Sequence, residues 1–323
     1  MSFSVENTVR NFIAIEIGGT KLQLAVGDCS GRIEHRVRFT VDRERGAAGI
    51  QSQIAHALPE LVKQWHPCAI GVGYGGPVDW RTGKIACSHH IAGWSDFPLA
   101  EWLSGLTGLP AFAENDANTA ALGEALFGAG KGADPVLWMN SGSGVGGGLV
   151  TGGRIYHGAP PGEMELGHLR LDRNGTITED LCAGWTLDLR VREAAAKDPA
   201  GPLAQALSKL EHKGGEARAL GPALANNDPV ANGILQEVAE SMAYALSHAV
   251  HLLHPETVVL GGGVALLGEP LRERIASALP RWLMEAFLPG PTIRLAALME
   301  DAVLVGALAV ALHRLQTPTL VHT

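Results

Sequence analysis

FIAIEIGGTKLQLAVGD, residues 12–28, sets two apolar and partly β-branched runs on either side of Gly18, Gly19 and Thr20. Runs of that kind around a Gly-containing turn predict a β-hairpin. The pattern recurs in PVLWMNSGSGVGGGLVTGG, residues 135–153, where a Gly/Ser turn again separates two strands. Two such hairpins, far apart in the chain, predict two related lobes that each contribute one. Between them CAIGVGYGGPVDW (68–80) reads as a strand entering a Gly-Pro loop, and LPAFAEND (109–116) as a strand that stops at Asp116. Downstream, residues 229–254 carry apolar side chains at three- and four-residue spacing and predict a long helix. PETVVLGGGVALLG (255–268) then reads as a buried strand and a triple-Gly turn, and a last helix begins near Asp301.

The bulk numbers agree with two lobes. A chain of 323 residues exceeds one typical core. Its 46% hydrophobic and 18% charged residues predict a soluble globular protein, and its 41 glycines predict many tight turns. A formal net charge of −8 argues against a nucleic-acid partner, which asks for a basic surface, but leaves room for a phosphorylated ligand held by backbone N–H groups. Cys29, Cys68, Cys87 and Cys182 are scattered and form no CxxC, so neither a disulfide framework nor a cysteine zinc site is expected. That usage fits a reducing, cytoplasmic setting. The opening MSFSVENTVRN lacks the apolar core of a secretion signal. The longest apolar run, residues 302–312, is too short to span a bilayer, so no membrane partner is expected and a buried helix is.

Two windows match G-x-G-x-x-G: Gly71, Gly73 and Gly76, then Gly142, Gly144 and Gly147. A dinucleotide fingerprint opens a helix directly after the turn, and neither Pro77-Val78-Asp79 nor Leu149-Val150-Thr151 does so. FGAGKG (127–132) lacks the early Gly and the Ser/Thr of a Walker A motif. Phosphate binding therefore falls to the hairpin turns, whose successive N–H groups can form an anion nest.

Taken together, the motifs resemble the ROK family of sugar kinases and repressors, within the actin-like ATPase and hexokinase superfamily. EIGGTK (16–21) is similar to its first phosphate motif, NSGSGVGGG (140–148) to its second and VVLGGGV (258–264) to its adenosine motif. GYGGPVD (73–79), ENDAN (114–118) and ELGH (165–168) resemble its Gly-Pro loop, its sugar and catalytic segment and its sugar-gripping element. The likeness runs in order from about residue 12 to the last helix.

The resemblance implies a two-lobed α/β fold of the actin-like ATPase (ribonuclease H-like) type with a central cleft. Residues 1–117 and 302–323 would form a smaller lobe and 118–301 a larger one. It implies an ATP-dependent hexose kinase moving the γ-phosphoryl of MgATP to a sugar hydroxyl, with glucose ahead of fructose or an N-acetylated hexosamine. Asp116 would be the general base. Gly75, His90, Asn115, Glu165, His168 and Glu179 would meet the sugar. Glu16, Gly18, Gly19, Thr20 and Lys21, with Ser141, Gly142, Ser143 and Gly144, would hold the phosphates and Mg²⁺ near Glu16, and Gly261, Gly262 and Gly263 the nucleoside. A homodimer is implied too. The family's other class, a sugar-responsive regulator, would want a DNA-binding helix-turn-helix before the first hairpin, where 11 residues stand; a sugar-binding sensor without kinase activity is opposed by Asp116 and both phosphate hairpins, with Glu16 the one residue in its favour.

Three departures stand out. Glu16 takes the place of the usual Asp, and Ser143 that of the usual Thr. LRLDRNGTITEDLCAGWTLD (169–188) replaces a Cys-rich zinc segment and holds one Cys, so no structural zinc is expected while Glu179 is kept as a sugar ligand.

Other residues admit plainer readings. Asp116 could simply cap the helix that begins beside it. Trp80 and Trp94 read as core packing before sugar stacking. His248, His251 and His254 read as surface or capping histidines near a helix end before metal ligands.

Overall fold

The computed structural model describes residues 10–42, 44–86, 93–162, 164–210 and 214–316. The chain opens with β1 (Asn11–Ile17), β2 (Lys21–Asp28) and β3 (Ile33–Thr40), then α1 (Gly46–Trp65) and β4 (Ile70–Tyr74). A small pair, β5 (Val78–Asp79) and β6 (Lys84–Ile85), precedes α2 (Leu99–Thr107), β7 (Ala111–Asn115) and α3 (Asp116–Phe127). Next come β8 (Val136–Ser141), β9 (Val145–Thr151) and the short β10 (Arg154–Ile155). The chain then turns helical: α4 (Thr178–Cys182), α5 (Gly184–Lys197), α6 (Pro202–Ser208), α7 (Leu220–Ala225) and α8 (Pro229–Leu253). β11 (Thr257–Gly261), α9 (Glu269–Ala278), β12 (Thr292–Leu295) and α10 (Ala302–Gln316) complete it.

The chain divides into two compact units. The first comprises Met1–Gly128, Gly153–Glu163 and Glu300–Thr323; the second comprises Ala129–Gly152 and Met164–Met299. This partition differs from the expected lobes. The units are of nearly equal length, and α3 belongs to the first instead of opening the second. Glycines explain the allegiance of α3. A Cβ on Gly306 of α10 would overlap Thr119 O, and one on Gly123 would lie 2.6 Å from Ala302 O, so the two backbones touch.

In the first unit the sheet order is β3-β2-β1-β4-β7, with β1 antiparallel to β2 and parallel to β4, and β4 parallel to β7. Strand alternation buries both faces of β1. Ile13, Ile15 and Ile17 join Ile50, Ile54 and Leu58 of α1, while Phe12 and Ala14 join Leu304, Ala307, Leu308 and Ala311 of α10. The apolar run of residues 302–312 is thus a buried helix, as its composition predicted.

The second unit repeats the plan. Its strands run β9-β8-β11-β12, with β8 antiparallel to β9 and parallel to β11, and β11 parallel to β12. Leu137 and Met139 of β8 and Val258 and Leu260 of β11 pack with Leu235, Val238, Met242 and Leu246 of α8. Asp228 caps α8, its Oδ1 accepting the Val230 N–H at 2.7 Å, and His254 closes it in the left-handed conformation at φ 47°. Among the described residues no helix is long and apolar enough to cross a membrane.

Candidate active site

In the first unit the parallel register pairs Ile17 with Tyr74 and Tyr74 with Asn115. Three strands therefore stop at one edge, and open α/β sheets bind ligands beyond the carboxyl ends of such strands. Gly18-Gly19, Gly75-Gly76 and Asp116 leave the sheet at that edge, one group from each strand. Gly75 donates its N–H to Ile17 O at 2.9 Å. A Cβ on Gly75 would lie 3.3 Å from Asp116 Oδ2, 3.4 Å from Ile17 O and 3.7 Å from Gly18 Cα. The absent side chain lets the half-buried Asp116 carboxylate sit beside the turn of the first hairpin.

Asp116 is not the helix cap. That task falls to Asn115, whose Oδ1 accepts the N–H groups of Ala117 and Asn118 at 2.9 and 3.1 Å, while its Nδ2 donates to Gly76 O at 3.2 Å. Asp116 occupies the first helical position, where the backbone N–H groups favour an anion. Asn115 retains at most one amide N–H for a ligand.

Glu16 lies across the hairpin from Gln23. Gln23 is fully buried and donates Nε2 to Glu16 Oε2 at 2.7 Å, while Lys21 Nζ stands 3.0 Å from Oε1. Both carboxylate oxygens are thereby oriented and keep lone pairs for water. Such a donor set fits Mg²⁺, which prefers oxygen ligands, keeps several waters and uses one or two carboxylates besides phosphate. The turn itself closes through Gly18 N–H to Lys21 O at 2.9 Å.

In the second unit Gly142 donates its N–H to Gly144 O, and Gly184 N–H reaches Gly142 O at 2.7 Å. Ser141 Oγ donates to Cys182 O at 2.6 Å. Gly262, at φ 84°, lies so close that a Cβ there would overlap Ser141 O and stand 2.7 Å from Asn140 Oδ1. Glu179 joins this cluster by accepting the Val145 N–H at 2.8 Å through Oε2. Glu165 and His168 are exposed at the two ends of a 3-10 turn. That turn rests on β9 because a Cβ on Gly167 would overlap Val145 O. Residues 141–144, 165, 168, 179 and 261–263 are thus gathered in one unit, and 16–21, 75, 115 and 116 in the other. His90 lies outside the described residues.

In place of a Cys-rich segment, Asp172 organises the loop. Its Oδ1 accepts the N–H groups of Asn174, Gly175 and Thr176, and its Oδ2 the Thr176 hydroxyl at 2.7 Å. The Thr176 hydroxyl above all, with those N–H groups, holds the Asp172 carboxyl below its ordinary range. Among the described residues no group of three or more His, Cys, Asp or Glu side chains is placed to hold a metal ion. His251 Nε2 instead accepts the Met284 N–H, and His254 stacks on Phe287.

The sequence profile of the ROK family matches residues 12–314. The chain belongs to the ROK family. The glucokinase of Thermotoga maritima is 29% identical to this ROK protein, over 94% of this chain and 98% of its own. The glucokinase of Halalkalibacterium halodurans is 30% identical over 92% and 93%. Among solved structures, a ROK family glucokinase from Streptomyces griseus in complex with glucose and AMPPNP superposes with a TM-score of 0.81 at 30% identity, covering 94% of this chain and 99% of its own. The fold of this ROK protein is accordingly the α/β actin-like ATPase fold expected from its motifs.

Sequence reasoning missed three contributors. Gln23 is one; a polar residue inside an apolar strand was the available signal, because a buried amide needs a partner. Glu114 and His157 are the others, 43 residues apart and joined at 2.6 Å. Trp94 is core, fully buried against Phe97, whereas the half-buried Trp80 lies outside the core and stacks on His157 at 4.1 Å.

Proposed function

We propose that this ROK protein is an ATP-dependent hexose kinase, glucose being the first substrate to try and fructose or an N-acetylated hexosamine the next. The observation that carries the reading is the Asp116 carboxylate lying against Gly75 beside Gly18. Phosphoryl transfer needs mainly positioning and charge stabilisation, and one carboxylate at the attacking hydroxyl. The sugar hydroxyl oxygen attacks the γ-phosphorus, the bond to the ADP oxygen breaks, and Asp116 takes the hydroxyl proton.

The hairpin turns at residues 18–21 and 141–144 would hold the phosphates, with Lys21 adding a positive charge, and residues 261–263 would meet the nucleoside. Glu16 would orient Mg²⁺ through its waters; the ion would neutralise charge on the phosphate oxygens. Glu165, His168, Glu179 and Asn115 would bond sugar hydroxyls, Gly75 would leave the ring room, and His90 would take part in substrate choice. The names of the related glucokinases and the glucose and AMPPNP of the Streptomyces complex support both substrates. No structural zinc is required. A homodimer in the cytoplasm completes the proposal, the first to be checked by light scattering.

A coupled ADP-release assay over glucose, fructose, mannose, N-acetylglucosamine and N-acetylmannosamine tests it. Turnover on at least one hexose is expected. Sugar binding without turnover on any would point to the sensor class.

A further inference from the structure

Glu114 is 4% exposed and immediately precedes Asn115 and Asp116. Its Oε1 accepts the Asn115 N–H and one Asn118 Nδ2 hydrogen, both at 3.0 Å. Its Oε2 meets His157 Nε2 at 2.6 Å. An ionised carboxylate only accepts, so His157 carries its proton on Nε2. Asn118 Nδ2 also donates to Gly162 O at 3.1 Å. The strand-to-helix junction is thereby tied at two points to residues 157–162.

The His157 ring is itself fixed. It stacks on Trp80 with the planes 16° apart, and Trp80 directly succeeds β5, the continuation of the loop that carries Gly75. Arg314 of α10 lies 5.1 Å from the Trp80 ring and donates Nη2 to Trp80 O at 2.9 Å. Burial pulls the Arg314 guanidinium below its ordinary pKa, and the nearby Glu114 charge opposes that pull. A buried carboxylate that loses a partner must reorganise or draw in water. Here the groups that would move with it are the Asn115 backbone and the Asn118 side chain, on either side of Asp116.

Building on the kinase reading, we infer that Glu114 and His157 are a positioning pair for the general base, holding Asp116 in register with the Gly75 loop. Neither residue need touch a substrate. Misplacing a reacting group by about 1 Å can cost on the order of 100-fold in rate, so the pair bears on turnover more than on substrate affinity.

The test compares wild type, His157→Phe, His157→Gln and Glu114→Gln in steady-state kinetics on the hexose that wild type phosphorylates, with Tm measured on each. His157→Phe keeps a ring on Trp80 and loses the bond to Glu114. His157→Gln gives up the stack and keeps a donor near the same place. The expected result is a kcat about 10- to 100-fold lower in His157→Phe, with KM for ATP and sugar within about threefold of wild type, and recovery of most of that loss in His157→Gln. Glu114→Gln should resemble His157→Phe. Unchanged kcat in His157→Phe would overturn the inference, as would losses that track Tm and are equal in the Phe and Gln variants. A wild-type chain that phosphorylates no hexose would instead overturn the kinase reading, and the role of the pair with it.

Discussion

Gly75 and Asp116 are separated by just the space of a missing methyl group: a Cβ on Gly75 would stand 3.3 Å from Asp116 Oδ2. Gly75→Ala should therefore push the carboxylate aside. Its other near neighbour, Ile17 O at 3.4 Å, is backbone and less free to yield. We expect kcat to fall by about 10-fold or more, with a stability cost at the low end of the roughly 1–3 kcal/mol typical of overpacking. Steady-state kinetics alongside thermal unfolding would check it; unchanged kcat would mean that the contact is irrelevant to turnover.

Two glycine substitutions should have opposite signs. Gly306→Ala would drive a methyl into Thr119 O where α3 and α10 touch, and is expected to destabilise by about 2 kcal/mol or more. Gly233→Ala, inside α8 with nothing within 4 Å of the new methyl, is expected to stabilise by about 0.5–1 kcal/mol. Denaturant unfolding of the two variants beside wild type measures both.

Much of the fold was legible in the sequence, for reasons of range. The hairpins at residues 12–28 and 135–153 and the helix at 229–254 declare themselves through neighbouring residues, by strand alternation, turn glycines and helical period. Asn115 and Asp116 are equally good caps by composition, and only the extended backbone of Asn115 decides between them. The place of α3 was hidden because it depends on Gly123 meeting α10, which lies far along the chain. His157 gave no sign of its partner, since 43 residues separate it from Glu114.

Gln23 holds one oxygen of Glu16. Gln23→Leu keeps the size of the side chain and removes the donor. The Mg²⁺ concentration for half-maximal activity should rise by about 10-fold, the scale on which partners of a metal-orienting carboxylate act, while the sugar KM stays put. A magnesium titration at fixed ATP and sugar distinguishes this from a general loss of activity.

Asp172 ties the loop after His168 through three backbone N–H groups and the Thr176 hydroxyl, and no structural zinc is expected there. Metal analysis of the purified protein should find far less than one zinc per chain, and chelator should leave Tm unchanged. Because the folded-state pKa of Asp172 is depressed, its stabilisation is present above the unfolded value near 4 and is lost as pH falls through the folded one. The Tm gap between wild type and Asp172→Ala should accordingly be full at pH 7 and shrink below about pH 4. A gap that grew on acidification would assign the loop to another interaction.

The proposed role of Asp116 as general base is the heart of the account, and the cap on Asn115 separates that role from folding. Asp116→Asn is isosteric and leaves that cap intact. The decisive measurement is its kcat on the wild-type substrate, with Tm as the control. A loss of about 10²–10⁴-fold at unchanged Tm is expected; turnover close to wild type would remove Asp116 from the chemistry.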